Sequence, residues 1–188
     1  MTLGELVVAL GVMGAVTAGT LPKLLTSLDD ARAAGAVRYM SSRLAEARMD
    51  AVSRSKEVAI HFVESNGTYT FTTYEDENNN GVLTHDIVRG VDRPIFGPER
   101  LTDHFRSVDF GAGAGLPPID SGGAAPAGDP IKFGVGNSVS FSRLGTATSG
   151  TLYILGASGA QYAIRVVGGT GKIRAYRFNR GTGKWLPM

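Results

Sequence analysis

No cysteine occurs among the 188 residues of the chain, so no disulfide can close a loop, and stability outside the cytoplasm has to come from packing. Acidic side chains are also missing from one region. Residues 131–188 carry eight basic side chains and no acidic one, whereas residues 1–130 carry 11 basic and 17 acidic ones. The net charge of +2 therefore conceals a cationic C-terminal block.

Charge is absent from residues 6–21, a stretch that Glu5 precedes and Pro22 follows. A secretory signal peptide has basic residues before its apolar stretch, but the first basic residue here is Lys23, after it. The stretch is short for a transmembrane helix, which needs about 20 apolar residues, and it reaches that length when counted from Met1. We therefore expect residues 1–25 to be a hydrophobic segment for assembly or membrane insertion.

Glu5 is an ionisable group at the edge of this apolar segment. A carboxylate in a low-dielectric site is costly unless an opposite charge lies at hydrogen-bonding distance. The free α-amino group of a neighbouring copy, at Met1, would supply that charge. The sequence therefore predicts self-assembly of the chain.

Helical periodicity continues beyond Pro22 and predicts one helix over residues 1–54, about 80 Å long. Its first half would project, and its second half would pack against a globular head. The apolar positions with three- and four-residue spacing are Leu24, Leu28, Ala31, Ala34, Val37, Met40, Leu44, Ala47 and Ala51.

After Ser53 the apolar spacing changes to two, and Asn66-Gly67 predicts the turn of a β-hairpin. Further strands are expected at residues 107–110, 131–135, 138–141, 151–155, 162–167 and 172–178. The sequence thus predicts an α+β fold in which the helix packs on a mostly antiparallel β-rich head, residues 55–188. Residues 111–130 include six glycines and four prolines, which predicts an exposed flexible loop or a flap between subunits.

Residues 1–22 resemble the mature N-terminus of type IV pilins and type II secretion pseudopilins. The matching positions are Thr2, Leu3, Glu5, Leu6 and Pro22. Met1 stands where that family has phenylalanine, and Gly4 where it has a branched aliphatic residue. The resemblance implies that a prepilin peptidase removes a leader and methylates the new N-terminus, and that Glu5 pairs with the amine of an adjacent subunit. Met1 is then either that processed residue or an initiator.

The order of the elements resembles the GspH/FimT type of pseudopilins and minor pilins. The resemblance includes the helix, the hairpin, an acidic Asn-rich loop and a final strand pair around Gly171-Lys172-Ile173-Arg174. It implies a structural subunit of an extracellular type IV pilus-like filament, with a DNA-binding minor pilin or a type II secretion minor pseudopilin as alternatives. It also implies a homo-oligomeric helical filament, an inner-membrane stage before assembly, and contact with the inner-membrane assembly machinery.

Helix-weakening residues are concentrated at Gly11, Gly14, Gly19 and Pro22. Each glycine costs up to about 1 kcal/mol relative to alanine inside a helix. We therefore expect this part of the helix to unwind or stretch in a filament, as the family resemblance also implies.

The C-terminal block offers a basis for DNA binding. Its candidate phosphate contacts are Lys172, Arg174, Arg177, Arg180 and Lys184, with Tyr176 and Trp185 available for stacking. A strand period of two places Lys172 and Arg174 on one face and Arg177 on the other. The alternatives are that these cations meet the acidic part of the next subunit or stay solvated.

The Asn-rich loop around residue 80 partly matches a calcium-binding loop. Its candidate ligands are Asp76, Asn78, Asn80, Val82 and Asp86. The glutamate expected at the twelfth position is replaced by Ile87, and Asp86 comes one residue early. The alternative is an Asn-rich turn with solvated carboxylates.

Enzymatic motifs are incomplete throughout the sequence. The three histidines are scattered, the segment at residues 136–140 fails the nucleophile-elbow pattern, and the segment at residues 168–172 fails the P-loop pattern. We therefore expect a structural protein and no enzyme.

Overall fold

The first element of the fold is a long helix, α1, Leu3–Arg54. The computed structural model describes residues 2–120, 123, 125–126, 128–134 and 136–188; within α1 it describes the side chains at 3–8, 10–11 and 23–54. Thr2 is the N-cap, and Ser55 ends the helix in the left-handed conformation at φ 55°. The prediction of one long N-terminal helix is confirmed, and its described part is Leu3–Arg54. Among the residues described in full, no helix combines the length and apolarity of a membrane crossing.

Only the second half of α1 packs against the head. Leu24, Leu28 and Ala31 were expected on the packed face, but they are exposed because the head begins to cover the helix only near Ala33. The helix residues that are fully covered are Ala33, Ala36, Val37, Met40, Leu44, Ala47 and Ala51.

In the described part of the chain, ten strands and two short helices follow α1. The strands are β1 Val58–Ser65, β2 Thr68–Glu75, β3 Arg93–Arg100, β4 Asp109–Phe110, β5 Ile131–Phe133, β6 Ser138–Phe141, β7 Gly150–Leu155, β8 Gln161–Val167, β9 Lys172–Asn179 and β10 Lys184–Pro187. The short helices are α2 Thr84–Arg89 and α3 Leu101–His104. Val135, which the sequence assigned to the fifth of these strands, lies outside the described residues.

The strands form two antiparallel sheets rather than one. The first has the order β3-β2-β1-β6, and the second has the order β10-β9-β8-β7-β4, with β5 pairing beside β4 on the same edge of β7. The chain thus leaves the first sheet after β3, contributes β4 and β5 to the second, and returns for β6. The α+β class and the antiparallel head are as predicted.

Strands β3 and β10 were not predicted from the sequence. β3 contains Pro94 and Pro98, and β10 ends with Pro187. Proline interrupts a strand pattern and is tolerated at sheet edges because it cannot donate to a neighbouring strand. Both strands are edge strands, which explains how the two sheets accommodate them.

The core lies between α1 and the inner faces of the two sheets. Met40 and Leu44 on the helix are fully buried against it, and an aromatic cluster closes it on the side of β4. In that cluster Phe110 packs edge-on against Phe62 and Phe71, with ring centroids 5.3 and 6.2 Å away. This packing gives the cysteine-free head its stability.

Candidate assembly and binding surfaces

The N-terminal end of α1 joins Thr2 and Glu5 in a capping box. Glu5 Oε2 accepts a hydrogen bond from the Thr2 backbone N–H at 2.9 Å, and Thr2 Oγ1 accepts one from the Glu5 N–H at 3.4 Å. The box satisfies two amides of the first turn. The Thr-x-x-Glu spacing signals this motif, which the sequence argument missed by considering only an intermolecular partner. Met1 lies outside the described residues, so its pairing with Glu5 stays a prediction.

Apolar side chains are exposed on both described parts of the projecting helix. The exposed set is Leu3, Leu6, Val7, Val8, Leu10, Leu24, Leu25 and Leu28. The backbone is helical through Gly11, Gly14, Gly19 and Pro22 in the single chain. The predicted unwinding at these positions concerns the assembled filament and stays a prediction. The head leaves this helix surface available for contacts with other molecules.

The basic residues of β9 point to opposite faces of the second sheet. Arg177 faces the helix and donates from Nη2 to Asp30 Oδ2 at 3.0 Å. Lys172 and Arg174 are exposed on the other face, where Arg174 lies directly opposite Arg165 of β8. The candidate DNA contacts on β9 therefore lie on two different surfaces. This division agrees with the prediction from the strand period.

The two remaining candidate cations lie at the β9–β10 connection. Arg180 Nη2 donates to the carbonyl oxygen of Gly159 at 2.6 Å, and Lys184 begins β10 as an exposed side chain. Trp185, a candidate stacking residue, is only partly exposed, and its Nε1 donates to the carbonyl oxygen of Pro117 at 2.9 Å. Its ring is therefore already engaged within the head.

The Asn-rich loop is organised around buried carboxylates. Asp76 Oδ1 accepts the backbone N–H groups of Asn78 and Asn79 at 3.1 and 2.8 Å, and Oδ2 accepts that of Gly81 at 2.8 Å. Asp86 Oδ2 accepts the side-chain amides of Asn78 and Asn80 at 3.3 and 3.0 Å. The hydrogen bond from Asn80 is the main cause that lowers the pKa of Asp86, and the hydrogen bond from Asn78 lowers it further. The carboxylates are thus not solvated, contrary to the second sequence interpretation.

Several candidate calcium ligands of this loop are hydrogen-bonded to one another. Val82 is buried, and Asn78 and Asn80 turn their amide nitrogens toward Asp86. Within the described residues, no group of three or more His, Cys, Asp or Glu side chains is arranged to hold a metal ion. Calcium binding at Asp76, Asn78, Asn80, Val82 and Asp86 stays a prediction.

A cluster of charges ties this loop to the C-terminal end of α1. Lys56 Nζ lies 2.8 Å from both Glu75 Oε1 and Glu77 Oε2. Arg54 approaches Glu75 at 2.9 Å, and Arg93 approaches Glu77 at 2.7 Å. The hydrogen bond from Lys56 is the main cause that lowers the pKa of Glu77. The loop is therefore held in one position relative to the helix.

The first half of the predicted flap, residues 111–120, is docked on the outer face of the second sheet. Gln161 Oε1 accepts the Gly113 N–H at 2.9 Å, and its Nε2 donates to the Gly111 carbonyl at 2.8 Å. Asp120 pairs with Arg165 at 2.7 Å, and Leu116 is buried. Most of this half is thus at least partly covered, unlike the expected exposed loop, because its polar backbone has partners on the sheet. The alternative of a flap between subunits stays a prediction. Part of the second half, residues 121–130, lies outside the described residues.

The chain is similar to a protein family in sequence and to a solved structure in fold. The sequence model of the type II transport protein GspH matches residues 36–171, which include the packed half of α1 and most of the head. No curated protein matches the chain. Among solved structures, the chain is similar to the minor pseudopilin EpsH from the Type 2 Secretion System of Vibrio cholerae. That similarity has 12% sequence identity and a TM-score of 0.46, and it covers 77% of this chain and 95% of that one.

Proposed function

The chain belongs to the family of the type II transport protein GspH, and we propose that it joins a filament by packing the projecting half of α1 against neighbouring subunits. The chain is a pilin-like subunit, and the exposed apolar side chains of its projecting helix are the observation that supports this mode of assembly. Burial of apolar surface is the main favourable term in most protein association. The head then lies outside the helical bundle as a folded domain.

The family match favours the type II secretion pseudopilus over an extracellular pilus as the filament in which the subunit acts. On this proposal the subunit stays in the inner membrane before assembly, after a prepilin peptidase has processed it. The assembly machinery then moves it into a pseudopilus in the periplasm. Partners in that pseudopilus would be other pilin-like subunits as well as copies of this chain.

Glu5 is proposed to set the axial register by pairing with the N-terminal amine of an adjacent subunit. Two substitutions separate this role from the capping box. Glu5→Gln keeps a side chain that can complete the box but removes the charge, whereas Glu5→Ala removes both. If the charge is what matters, both variants lose incorporation into the filament while the head stays folded.

The experiment measures the recovery of each variant in the sheared filament fraction of cells that carry the assembly machinery. Asp103→Asn, an exposed acid on the head, serves as the control and should assemble normally. Near-UV circular dichroism of the purified chains checks the fold of the head. Normal incorporation of Glu5→Gln would contradict the charge pairing and leave the capping box as the role of Glu5.

DNA binding is a second candidate function, supported by the exposure of Lys172 and Arg174 on the outer face of the second sheet. Phosphate contacts of this kind weaken steeply with salt. Replacing both residues with Gln should lower DNA retention and flatten its salt dependence, whereas Arg89→Gln, an exposed cation on α2, should not. Equal retention by all variants would exclude this role for β9.

A further inference from the structure

A cleft of about 420 Å³ opens between α1 and the C-terminal hairpin, just beyond the apolar segment of the helix. We call it the proximal cleft. Its lining includes Thr26 and Asp30 of α1, Ser158 and Gly159 of the β7–β8 turn, and Arg177, Arg180 and Leu186 of the hairpin. It is therefore the part of the head nearest to the projecting half of the helix.

Positive charge is in excess around the proximal cleft. Asp30 accepts hydrogen bonds from Arg177 through Oδ2 and from Ser158 Oγ through Oδ1, each at 3.0 Å. Arg180 is bonded to the neutral carbonyl oxygen of Gly159, which leaves its charge uncompensated by that contact. Among the residues that line the cleft, Arg177 and Arg180 are basic and Asp30 is acidic, which leaves one positive charge in excess. The cleft is suited to an anion.

The position of the cleft along the helix matches the depth of lipid headgroups. At about 1.5 Å per residue, residues 3–22 span about 30 Å, the thickness of a hydrocarbon core. Thr26 and Asp30 then lie about 6 and 12 Å beyond Pro22. Headgroups occupy roughly the 5–8 Å outside each face of that core. The cleft therefore begins within the headgroup layer at Thr26 and extends about 4 Å beyond it at Asp30, so a headgroup phosphate would meet Arg177 and Arg180 from the membrane side.

We propose that the proximal cleft binds the phosphate of an anionic lipid headgroup through Arg180 and Arg177 while the subunit is in the membrane. This inference rests on the proposed membrane stage. Guanidinium groups suit phosphate because their planar N–H groups donate two parallel hydrogen bonds. Arg180 uses Nη2 for Gly159, and its other N–H groups are the donors for the ligand. The contact orients the head over the membrane and is lost when the subunit is extracted.

The test uses the full chain in vesicles of phosphatidylcholine alone or mixed with phosphatidylglycerol. Because the chain has no cysteine, Thr182→Cys provides a single site for a fluorophore on the exposed β9–β10 connection. A quencher on the lipid headgroup then reports how often the cleft is at the membrane surface. Resistance of the chain to alkaline extraction shows separately whether it has inserted.

Phosphatidylglycerol is expected to increase the quenching of the fluorophore. Arg180→Gln should reduce that increase about fivefold. Arg174→Gln removes one exposed cation from the outer sheet face of the same hairpin and should leave the contact unchanged. Equal quenching in the two kinds of vesicle, or loss of contact in Arg174→Gln as well, would overturn the inference. Loss of the added quenching when inorganic phosphate is present would also overturn it, because that result would identify the site as one for a free anion.

The extraction measurement distinguishes this inference from the proposed function. If the chain inserts into both vesicles and the lipid composition has no effect, the lipid site is wrong and the membrane stage is retained. If the chain inserts into neither, the membrane stage is wrong and the lipid site is excluded with it.

Discussion

Arg177 on β9 donates a hydrogen bond to Asp30 on α1 at 3.0 Å, joining two residues that are 147 positions apart in the sequence. The pair closes the second sheet onto the helix at the place where the helix leaves the head. Ser158 donates to the other oxygen of the same carboxylate. Asp30 thus holds both the β7–β8 turn and the C-terminal hairpin.

Asp30→Asn should weaken this closure moderately. The pair is partly exposed, with 55% of the Arg177 side chain and 31% of that of Asp30 accessible, so solvent screens it. We expect a loss of about 0.2–1 kcal/mol in the free energy of unfolding, measured by denaturant titration of the full chain in detergent. The loss should shrink at high salt. Asp103→Asn is the control. An equal loss of unfolding free energy in that variant would contradict the stabilising role of the Arg177–Asp30 pair.

Met40→Ala should be strongly destabilising because the side chain is fully buried between α1 and the sheets. Truncation of a buried methionine costs about 2–5 kcal/mol through lost burial and the cavity left behind. Met49→Ala is the matched control on the same helix, because that side chain is 67% exposed; we expect it to cost less than about 0.5 kcal/mol. Equal effects of the two substitutions on thermal unfolding would mean that the buried face of the helix is misassigned.

Gly150→Ala should disturb the pairing of β5 with β7. A Cβ atom at residue 150 would collide with the carbonyl oxygen of Lys132 and the ring of Phe133. The backbone cannot move aside as a flexible side chain can, so we expect the free energy of unfolding to fall by about 1–3 kcal/mol. Gly169→Ala is the control, because no atom lies within 4 Å of the added carbon there. A hydrogen-exchange measurement that shows intact protection of β5 in Gly150→Ala would refute this prediction.

Acid should loosen the Asn-rich loop before the rest of the head. The pKa of Glu77 is lowered mainly by its hydrogen bond with Lys56, and that of Asp86 mainly by the amide of Asn80. A carboxyl with a lowered folded pKa binds protons more readily in the unfolded chain. Its stabilisation is present above the unfolded pKa and is lost as the pH falls through the folded pKa, below about pH 4.

Hydrogen exchange of the amides between residues 77 and 83 measures this effect across the acid range. Glu77→Gln should lower the protection factors at neutral pH and reduce their further loss in acid, because the titrating group is gone. Asp103→Asn should keep the wild-type profile. Protection factors that do not fall in acid in the wild-type chain would show that the ion pairs do not hold the loop.

Local patterns in the sequence predicted most of the elements but not their partners. The helical spacing around Met40 and the alternation in β1 are properties of neighbouring residues, so they could be read directly. The division into two sheets depends on which strands pair, and no local pattern specifies that. Leu24 and Leu28 were assigned to the packed face because the spacing does not indicate where the head stops covering the helix.

The candidate sites were predictable to the extent that their residues are close in sequence. The Asn-rich loop was found because Asp76 and Asp86 lie within one segment. The docking of residues 111–120 was not found, since Gln161 and Trp185 reach Gly111 and Pro117 from 50 and 68 positions away. The pair of Arg177 and Asp30 is of the same kind, and only the folded chain brings it together.

The return of the chain to the first sheet at β6 has a consequence for biogenesis. The first sheet lacks one of its four strands until Ser138–Phe141 has been delivered, after β4 and β5 of the other sheet. Pairing over such long sequence distances is slow, because a large loop must close before any contact forms. During synthesis from the N-terminus, the first sheet therefore cannot be completed before Phe141 has emerged, and the second sheet cannot be completed before Pro187 has emerged.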